Sequence, residues 1–300
     1  MDVTGMPLTL LVNPSSAGGR TLKLLPRIEA VLDARRAAFR VQKTKSLEHG
    51  SEQALLATEA GELPVVVSGD GLLGAVGGAM AGSEVPLGLI PAGRGNDLAR
   101  ALGIPGDPEG AVEVILAGHS RRIDVGEANG KRFLGIASVG FDSECNRLAN
   151  ETHFLRGNLV YAYSMMRTLI GWKPARFTIA IGEERRRLSG YFVAVANNRV
   201  YGGGMYIAPE ARLDDGEFDV VAIGEVGKLR FLTGLKDVLK GDHLGKEEVS
   251  VFRASRLELS ASRPFPVYAD GDHLTDLPVS LRVIPRCLSL LVPVSPEVLQ

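Results

Sequence analysis

Apolar and polar positions follow two regimes along the chain. Up to Ile123, short apolar runs alternate with stretches whose apolar residues recur every three or four positions. Leu8–Val12 reads as a strand, and Leu22–Ala38 as a helix with Leu24, Leu25, Ile28, Val31 and Leu32 on one face. Phe39–Gln42 is predicted as a short strand, Leu47–Ala60 as a helix and Val65–Val67 as a buried strand. Ala75–Ala81 reads as a glycine-rich helix, Leu87–Ile90 as a strand, and Asn96–Leu102 and Pro108–Ala117 as helices. Such alternation predicts an α/β domain: a parallel sheet covered on both faces.

The regime changes near Ile123-Asp124-Val125-Gly126. Strands are predicted at Lys131–Ser138, Arg176–Ile181, Gly190–Asn197, Glu217–Ile223, Arg256–Ser260, Phe265–Ala269 and Val279–Val283. Their alternation and short turns predict an antiparallel β-sandwich or barrel. Two helices, Asn158–Leu169 and Leu229–Leu239, interrupt it, and Cys287–Val292 reads as a strand returning to the first domain. The organisation expected is an α/β domain over residues 1–124, completed by the tail 286–300, and a β domain over 125–285. No repeat, low-complexity tract or flexible linker stands out.

Composition narrows the function classes. With 300 residues, 45% of them hydrophobic and 23% charged, the chain can bury a sizeable core. A net charge of -1 implies no global attraction to nucleic acid, and none is expected as a partner. Cys145 and Cys287 are isolated, which argues against a disulfide framework or a zinc site. The N-terminus reaches a strand within a few residues, so no signal peptide is expected. The longest apolar stretch, Leu155–Trp172, is interrupted by Arg156, Asn158 and Arg167 and is no membrane span. A cytoplasmic setting fits, with any membrane contact made from the water side.

The candidate chemistry lies in two turns. Val65-Val66-Val67 leads into Ser68-Gly69-Asp70-Gly71, and Leu87-Gly88-Leu89-Ile90 leads into Pro91-Ala92-Gly93-Arg94-Gly95-Asn96-Asp97. Each has the form strand, glycine turn, helix start. Glycine there lets backbone N–H groups approach an anion, and the helix adds its positive dipole end. Asn13–Gly19 is a third loop at a strand end, the edge where open α/β sheets bind ligands. A lone glycine-aspartate turn is ordinary loop chemistry. None of the three matches a P-loop or the dinucleotide fingerprint.

Together these motifs resemble the diacylglycerol kinase catalytic-domain family of lipid kinases, which includes the sphingosine and ceramide kinases. Ser68-Gly69-Asp70-Gly71 corresponds to its glycine-glycine-aspartate-glycine motif. Gly93-Arg94-Gly95-Asn96-Asp97 corresponds to its glycine-threonine-glycine-asparagine-aspartate motif, and Asn13-Pro14 to its first-strand loop. Later, Asn198-Arg199-Val200-Tyr201-Gly202-Gly203-Gly204, Ala208-Pro209, Leu213-Asp214-Asp215-Gly216 and Ala269-Asp270-Gly271-Asp272 look like the bacterial soluble branch. The resemblance runs over nearly the whole chain.

The resemblance implies two domains, with the active site in the cleft between them, and ATP- and Mg²⁺-dependent phosphorylation of a lipid hydroxyl at a membrane surface. It places Gly69, Gly71, Gly93 and Gly95, with Ser68, Asp70 and Arg94, near the ATP phosphates, and Asn13 and Thr44 at the nucleotide end. Asp270 would be the general base, and Asp70, Asp97 and Asp124 an acidic network. Arg212, Asp215 and Glu217 would form a structural Mg²⁺ loop, Asp215 through its side chain and the others through carbonyls. On residue patterns alone, Asp270-Gly271 reads first as a solvated turn, and Arg212–Glu217 equally as a polar hairpin turn.

Three departures stand out, two of them at the first motif. Leu72 and Arg94 replace the family's threonines, and Ala75 its glutamate. An arginine can bind phosphate bidentately, so Arg94 offers compensation for the lost hydroxyl. A NAD kinase-like enzyme and a nucleotide- or lipid-binding regulatory protein remain alternatives, the latter because of Leu72. Lys228–Lys240 has Phe231, Leu232, Leu235, Val238 and Leu239 at helical spacing beside four basic residues, and reads as a sheet-covering helix or a membrane-surface helix. Tyr161, Met165, Met166, Leu169 and Trp172 read as core or as a lipid-tail groove. Pairing of two copies through an edge strand is left open.

Overall fold

The computed structural model describes residues 3, 5–152 and 158–294. Residues 155–157 of the apolar stretch and 295–300 of the tail lie outside them. The chain divides into two compact units, one holding the described residues up to Val125 and from Ile284 onward, the other Gly126–Val283.

In the first unit, β1 (Leu8–Val12) is followed by a 3-10 turn (Ser16–Gly18), α1 (Arg20–Ala34), β2 (Phe39–Lys43), α2 (Leu47–Glu59), β3 (Leu63–Ser68), α3 (Asp70–Met80) and β4 (Gly88–Pro91). The short α4 (Asp97–Ala101) and α5 (Pro108–Ala117) follow. The α5 helix starts where Asp107 accepts a hydrogen bond from Gly110 N–H with Pro108 next in line, and ends at Gly118, φ 69°. The helix expected over Leu22–Ala38 stops at Ala34, and Arg36 takes φ 55° to turn the chain into β2.

The strands form a four-stranded parallel sheet in the order β2-β1-β3-β4. Its register pairs Val12 with Lys43 and Val67, and Ser68 with Pro91. Asn13, Thr44, the Ser68–Gly71 turn and the Gly93–Asp97 turn therefore leave one edge of the sheet. The order reverses between β1 and β3, so the loops after those two strands flank the switch point, where open α/β sheets bind ligands.

Two strands run from one unit into the other: β5 (Ser120–Ala128) and the final strand of the chain. Then come β6 (Lys131–Phe133), β7 (Ile136–Gly140), α6 (Phe141–Glu151), α7 (Asn158–Gly171), β8 (Ala175–Ile181), β9 (Glu184–Ala196) and β10 (Phe218–Gly224). After α8 (Lys228–Val238) follow β11 (Val249–Ala254), β12 (Arg256–Ala261), β13 (Pro266–Ala269), β14 (Asp272–Asp276) and β15 (Val279–Leu291). These strands make one large antiparallel sheet in the order β14-β13-β7-β9-β8-β12-β15-β5-β6, with β10 paired to β9 and β11. The parallel α/β sheet followed by antiparallel β structure is the fold class expected from the residue pattern. The two strands expected at Val279–Val283 and Cys287–Val292 are one continuous strand, whose end bridges Leu87 through Leu290.

The second unit's core is aromatic where helices meet the sheet. Phe141 of α6 packs edge-on against Trp172 (5.4 Å between centroids) and Phe231 (4.9 Å), and Phe231 stacks on Tyr191 of β9 at 3.9 Å. Such contacts combine large apolar area with a defined geometry, so they fix the inner faces of α7 and α8. Among the described residues no helix is long and apolar enough to cross a membrane.

Candidate active site

The two glycine turns touch. A Cβ built on Gly69 would stand 2.9 Å from Gly93 Cα, and one built on Gly93 would stand 2.3 Å from Gly69 Cα. Only glycine allows this backbone approach. Asn96, at φ 51°, closes the second turn: its Oδ1 accepts from Gly93 N–H at 2.8 Å and its Nδ2 donates to Gly93 O at 3.2 Å. The sequence places Asn96 in the second motif without a role of its own. An asparagine just before a helix is the available signal, since its side chain readily closes a local turn and it tolerates left-handed φ. Gly93 N–H is thus already engaged. Gly69 caps α3, and Asp70 and Gly71 begin it, five residues earlier than the helix expected at Ala75. The N–H groups there are ones that a helix leaves without an internal partner.

Asp70 and Asp97 face each other across Gly95. A Cβ on Gly95 would lie 3.0 Å from Asp70 Oδ2 and 3.2 Å from Asp97 Oδ2. Asp70 Oδ1 accepts from Leu98 N–H at 3.3 Å. Burial, and then the charge of Asp97, push the Asp70 carboxyl above the usual range, opposed by backbone N–H groups of Leu98, Asp97 and Asn96. Asp124 is fully buried on β5, where its Oδ1 accepts from Arg286 N–H at 2.7 Å.

The remaining residues expected at the nucleotide end are held by local bonds. Asn13 Oδ1 accepts from Ser15 N–H and Oγ, forming an Asx-type turn. The Thr44 hydroxyl donates to Val12 O at 3.3 Å. Ser68 is buried, and its carbonyl accepts from Ala92 N–H. Arg94 is exposed at the turn. Leu72 is only 2% exposed, and a Cβ on Gly50 would lie 2.5 Å from its Cδ1. Leu72 is therefore an α2–α3 packing residue, where a hydroxyl would be buried among apolar groups.

Asp270 belongs to the second unit. Asp270 (φ 53°) and Gly271 (φ 92°) form the two-residue hairpin turn between β13 and β14, both left-handed as a type I′ turn requires. The Asp270 carboxylate accepts from Leu134 N–H at 2.9 Å and Gly135 N–H at 2.8 Å, one bond per oxygen. A Cβ on Gly135 would fall 2.3 Å from Asp270 Oδ1. Asn197, buried and not singled out by pattern, donates to Leu134 O at 2.9 Å, while its N–H donates to Gly135 O at 3.0 Å. This hydrogen-bonded chain turns a flexible side chain into an oriented one.

In the Arg212–Glu217 segment the Asp215 side chain expected on Mg²⁺ is engaged by the protein itself. Asp215 Oδ1 accepts from Glu217 N–H, and its Oδ2 meets the Arg253 guanidinium. Arg253 also lies 3.3 Å from Glu217 Oε2 and 3.8 Å from Asp219 Oδ1. The positive charge that these carboxylates need is the protein's own. Arg253 faces Asp219 directly across β10 and β11, a pairing of distant strands that local spacing cannot reveal. Burial pushes the Asp219 carboxyl up, and Arg253 counters it. Among the described residues no group of three or more His, Cys, Asp or Glu is set to hold a metal ion.

Comparison with known proteins gives this geometry a family. Residues 7–128 match a family model described as the diacylglycerol kinase catalytic domain, and residues 135–292 one described as the YegS C-terminal NAD kinase beta sandwich-like domain. The chain is 32% identical over 295 residues to a diacylglycerol kinase of Mycobacterium tuberculosis, covering 95% of each chain. It is 29% identical over 289 residues to a probable lipid kinase YegS-like of Chromohalobacter salexigens, covering 92% of this chain and 91% of that one. A solved structure of a putative diacylglycerol kinase from Bacillus anthracis shares the fold, with a TM-score of 0.80 at 22% identity over 98% of both chains. The paired glycine turns and the clamped Asp270 thus stand in a chain that belongs to the diacylglycerol kinase catalytic-domain family.

Proposed function

We propose that the protein transfers the γ-phosphoryl group of Mg²⁺-bound ATP to the hydroxyl of a membrane lipid such as diacylglycerol, working from the cytoplasmic side of the membrane. The Asp270 carboxylate carries this reading, because two backbone N–H groups hold it in one orientation. As the lipid oxygen bonds to the γ-phosphorus, its proton passes to Asp270, the bond to the β-phosphate oxygen breaks and ADP leaves. The turns at Ser68–Gly71 and Gly93–Asp97 would receive the phosphates, with the start of α3 supplying N–H donors and Arg94 supplying charge. Asn13 and Thr44 would border the nucleotide, and magnesium would enter with ATP beside Asp70 and Asp97.

The test is labelled ATP with Mg²⁺, purified protein, a total lipid extract and, separately, NAD. A labelled phospholipid that the Asp270→Asn variant no longer makes, while it still binds ATP, is the expected result. Labelled NADP would move the assignment to a NAD kinase. ATP binding with no product from either acceptor would leave a regulatory nucleotide-binding protein.

A further inference from the structure

Six of the eleven large apolar side chains exposed among the described residues lie on α7 or at the ends of α8: Leu159, Tyr161, Met166, Ile170, Leu229 and Leu239. Such concentration on two helices departs from the scattered exposure of an ordinary surface. The inner faces of these helices are already committed. Trp172, just after α7, and Phe231, on α8, pack on Phe141 and Tyr191, and the Tyr191 hydroxyl donates to Val226 O at 3.1 Å. Lys228 Nζ donates to Ile170 O at 2.6 Å, so the end of α7 adjoins the start of α8. There Ile170 is 73% exposed and Leu229 75% exposed.

Cations outnumber carboxylates around this tip. No acidic residue occurs from Thr152 to Gly182, whereas Arg167 and Lys173 are exposed beside Ile170 in sequence. Arg263 donates to Lys173 O and lies over the Trp172 ring, and Lys228 projects from the first turn of α8. Of the carboxylates near it, Glu248 is taken up by Arg230, and Glu225 accepts from the Ser189 hydroxyl at 3.0 Å. Apolar side chains beside an excess of cations match a bilayer surface with anionic headgroups, because the side chains enter the acyl boundary while the cations stay at headgroup level.

We propose that the end of α7 and the start of α8, centred on Ile170 and Leu229, is the surface by which the protein docks on anionic phospholipid bilayers; this deepens, and rests on, the lipid-kinase reading above. The experiment is flotation of the full-length protein, without ATP, with vesicles of phosphatidylcholine alone or mixed with phosphatidylglycerol. The wild type is expected to float with the mixed vesicles only, less so at high salt. The double variant Ile170→Glu/Leu229→Glu should bind at least about tenfold more weakly, and Arg167→Gln/Lys173→Gln roughly tenfold more weakly. All four side chains are exposed, so thermal midpoints should match the wild type.

Equal flotation with phosphatidylcholine alone, or undiminished flotation of the Ile170→Glu/Leu229→Glu variant, overturns the proposal. So does a lipid-free dimer that this variant converts to monomer, since the tip would then be an interface between copies. Flotation requires no turnover. A protein that floats as expected but phosphorylates no lipid removes the kinase reading and leaves the docking surface standing; an active kinase whose flotation ignores these residues does the reverse.

Discussion

Gly93 lies so close to Gly69 that a Cβ on Gly93 would stand 2.3 Å from the Gly69 Cα. The loops after two neighbouring parallel strands are thereby pressed into one surface. Gly93→Ala can fit only by parting them, which also strains the Asn96 bonds to Gly93. We expect a loss of about 1–3 kcal/mol, the usual cost of overpacking, visible as a lower thermal midpoint, and a loss of ATP-induced thermal protection. Gly106→Ala, where an added Cβ meets nothing within 4 Å, is the control and should leave both unchanged.

Gly135→Ala separates the placement of Asp270 from its chemistry. The new methyl group would fall 2.3 Å from Asp270 Oδ1 and push aside a carboxylate that is still present. Steady-state kinetics should show kcat down by about a hundredfold, within the range for losing a general base, with KM for ATP little changed. Asp270→Asn should be as inactive for a second reason: its amide NH₂ is a donor facing a backbone N–H, so one of the two clamping bonds is lost. Wild-type kcat in Gly135→Ala would show that this orientation is irrelevant to transfer.

Asp70 couples the acidic pair to pH. Its carboxyl is raised by burial and by Asp97, so the folded state favours the protonated form. The stability this group contributes is complete below its unfolded pKa, near 4, and is lost as pH rises through the folded value. Asp70→Asn stays neutral and keeps an acceptor for Leu98 N–H. The variant should therefore have a higher thermal midpoint than the wild type at pH 8, with the advantage shrinking towards pH 4. Thermal melts across that range check the sign; a difference independent of pH would exclude titration of Asp70 as its source.

Arg253 stands where a cation was expected. Arg253→Ala leaves Asp215, Glu217 and Asp219 crowded without a counter-charge. Because Arg253 is partly exposed, we expect a loss of about 1–2 kcal/mol rather than the larger cost of breaking a fully buried pair. Added Mg²⁺ or Ca²⁺ should restore part of the variant's thermal midpoint, and Asp215→Asn in the same background should abolish that rescue. The nucleotide-free wild type should melt at one temperature with Mg²⁺ or with chelator.

Local pattern was most informative where an element carries its own start, stop and apolar run. Leu8–Val12 is legible as five successive buried residues, and α5 by Asp107, Pro108 and Gly118. It was least informative for polar or interrupted elements. The α6 helix exposes much of its polar surface, and β14 has no clear alternation. β15 carries Pro285 and the left-handed Arg286 at its middle, so one strand reads as two.

The sequence by itself determined the change from α/β to antiparallel structure at Ile123–Gly126, because hydrophobic period is a local property that a short window records. It also supplied the residue types of both glycine turns and of the Asp270 turn. Only the tertiary structure decided what those residues touch: Gly69 against Gly93, Asp270 on the N–H groups of Leu134 and Gly135, Leu72 over Gly50, and Arg253 among three carboxylates. Partners far apart in the chain leave no periodic trace. Their contact depends on strand register and on how closely two backbones can approach, which are set only when the whole sheet and its covering helices are packed.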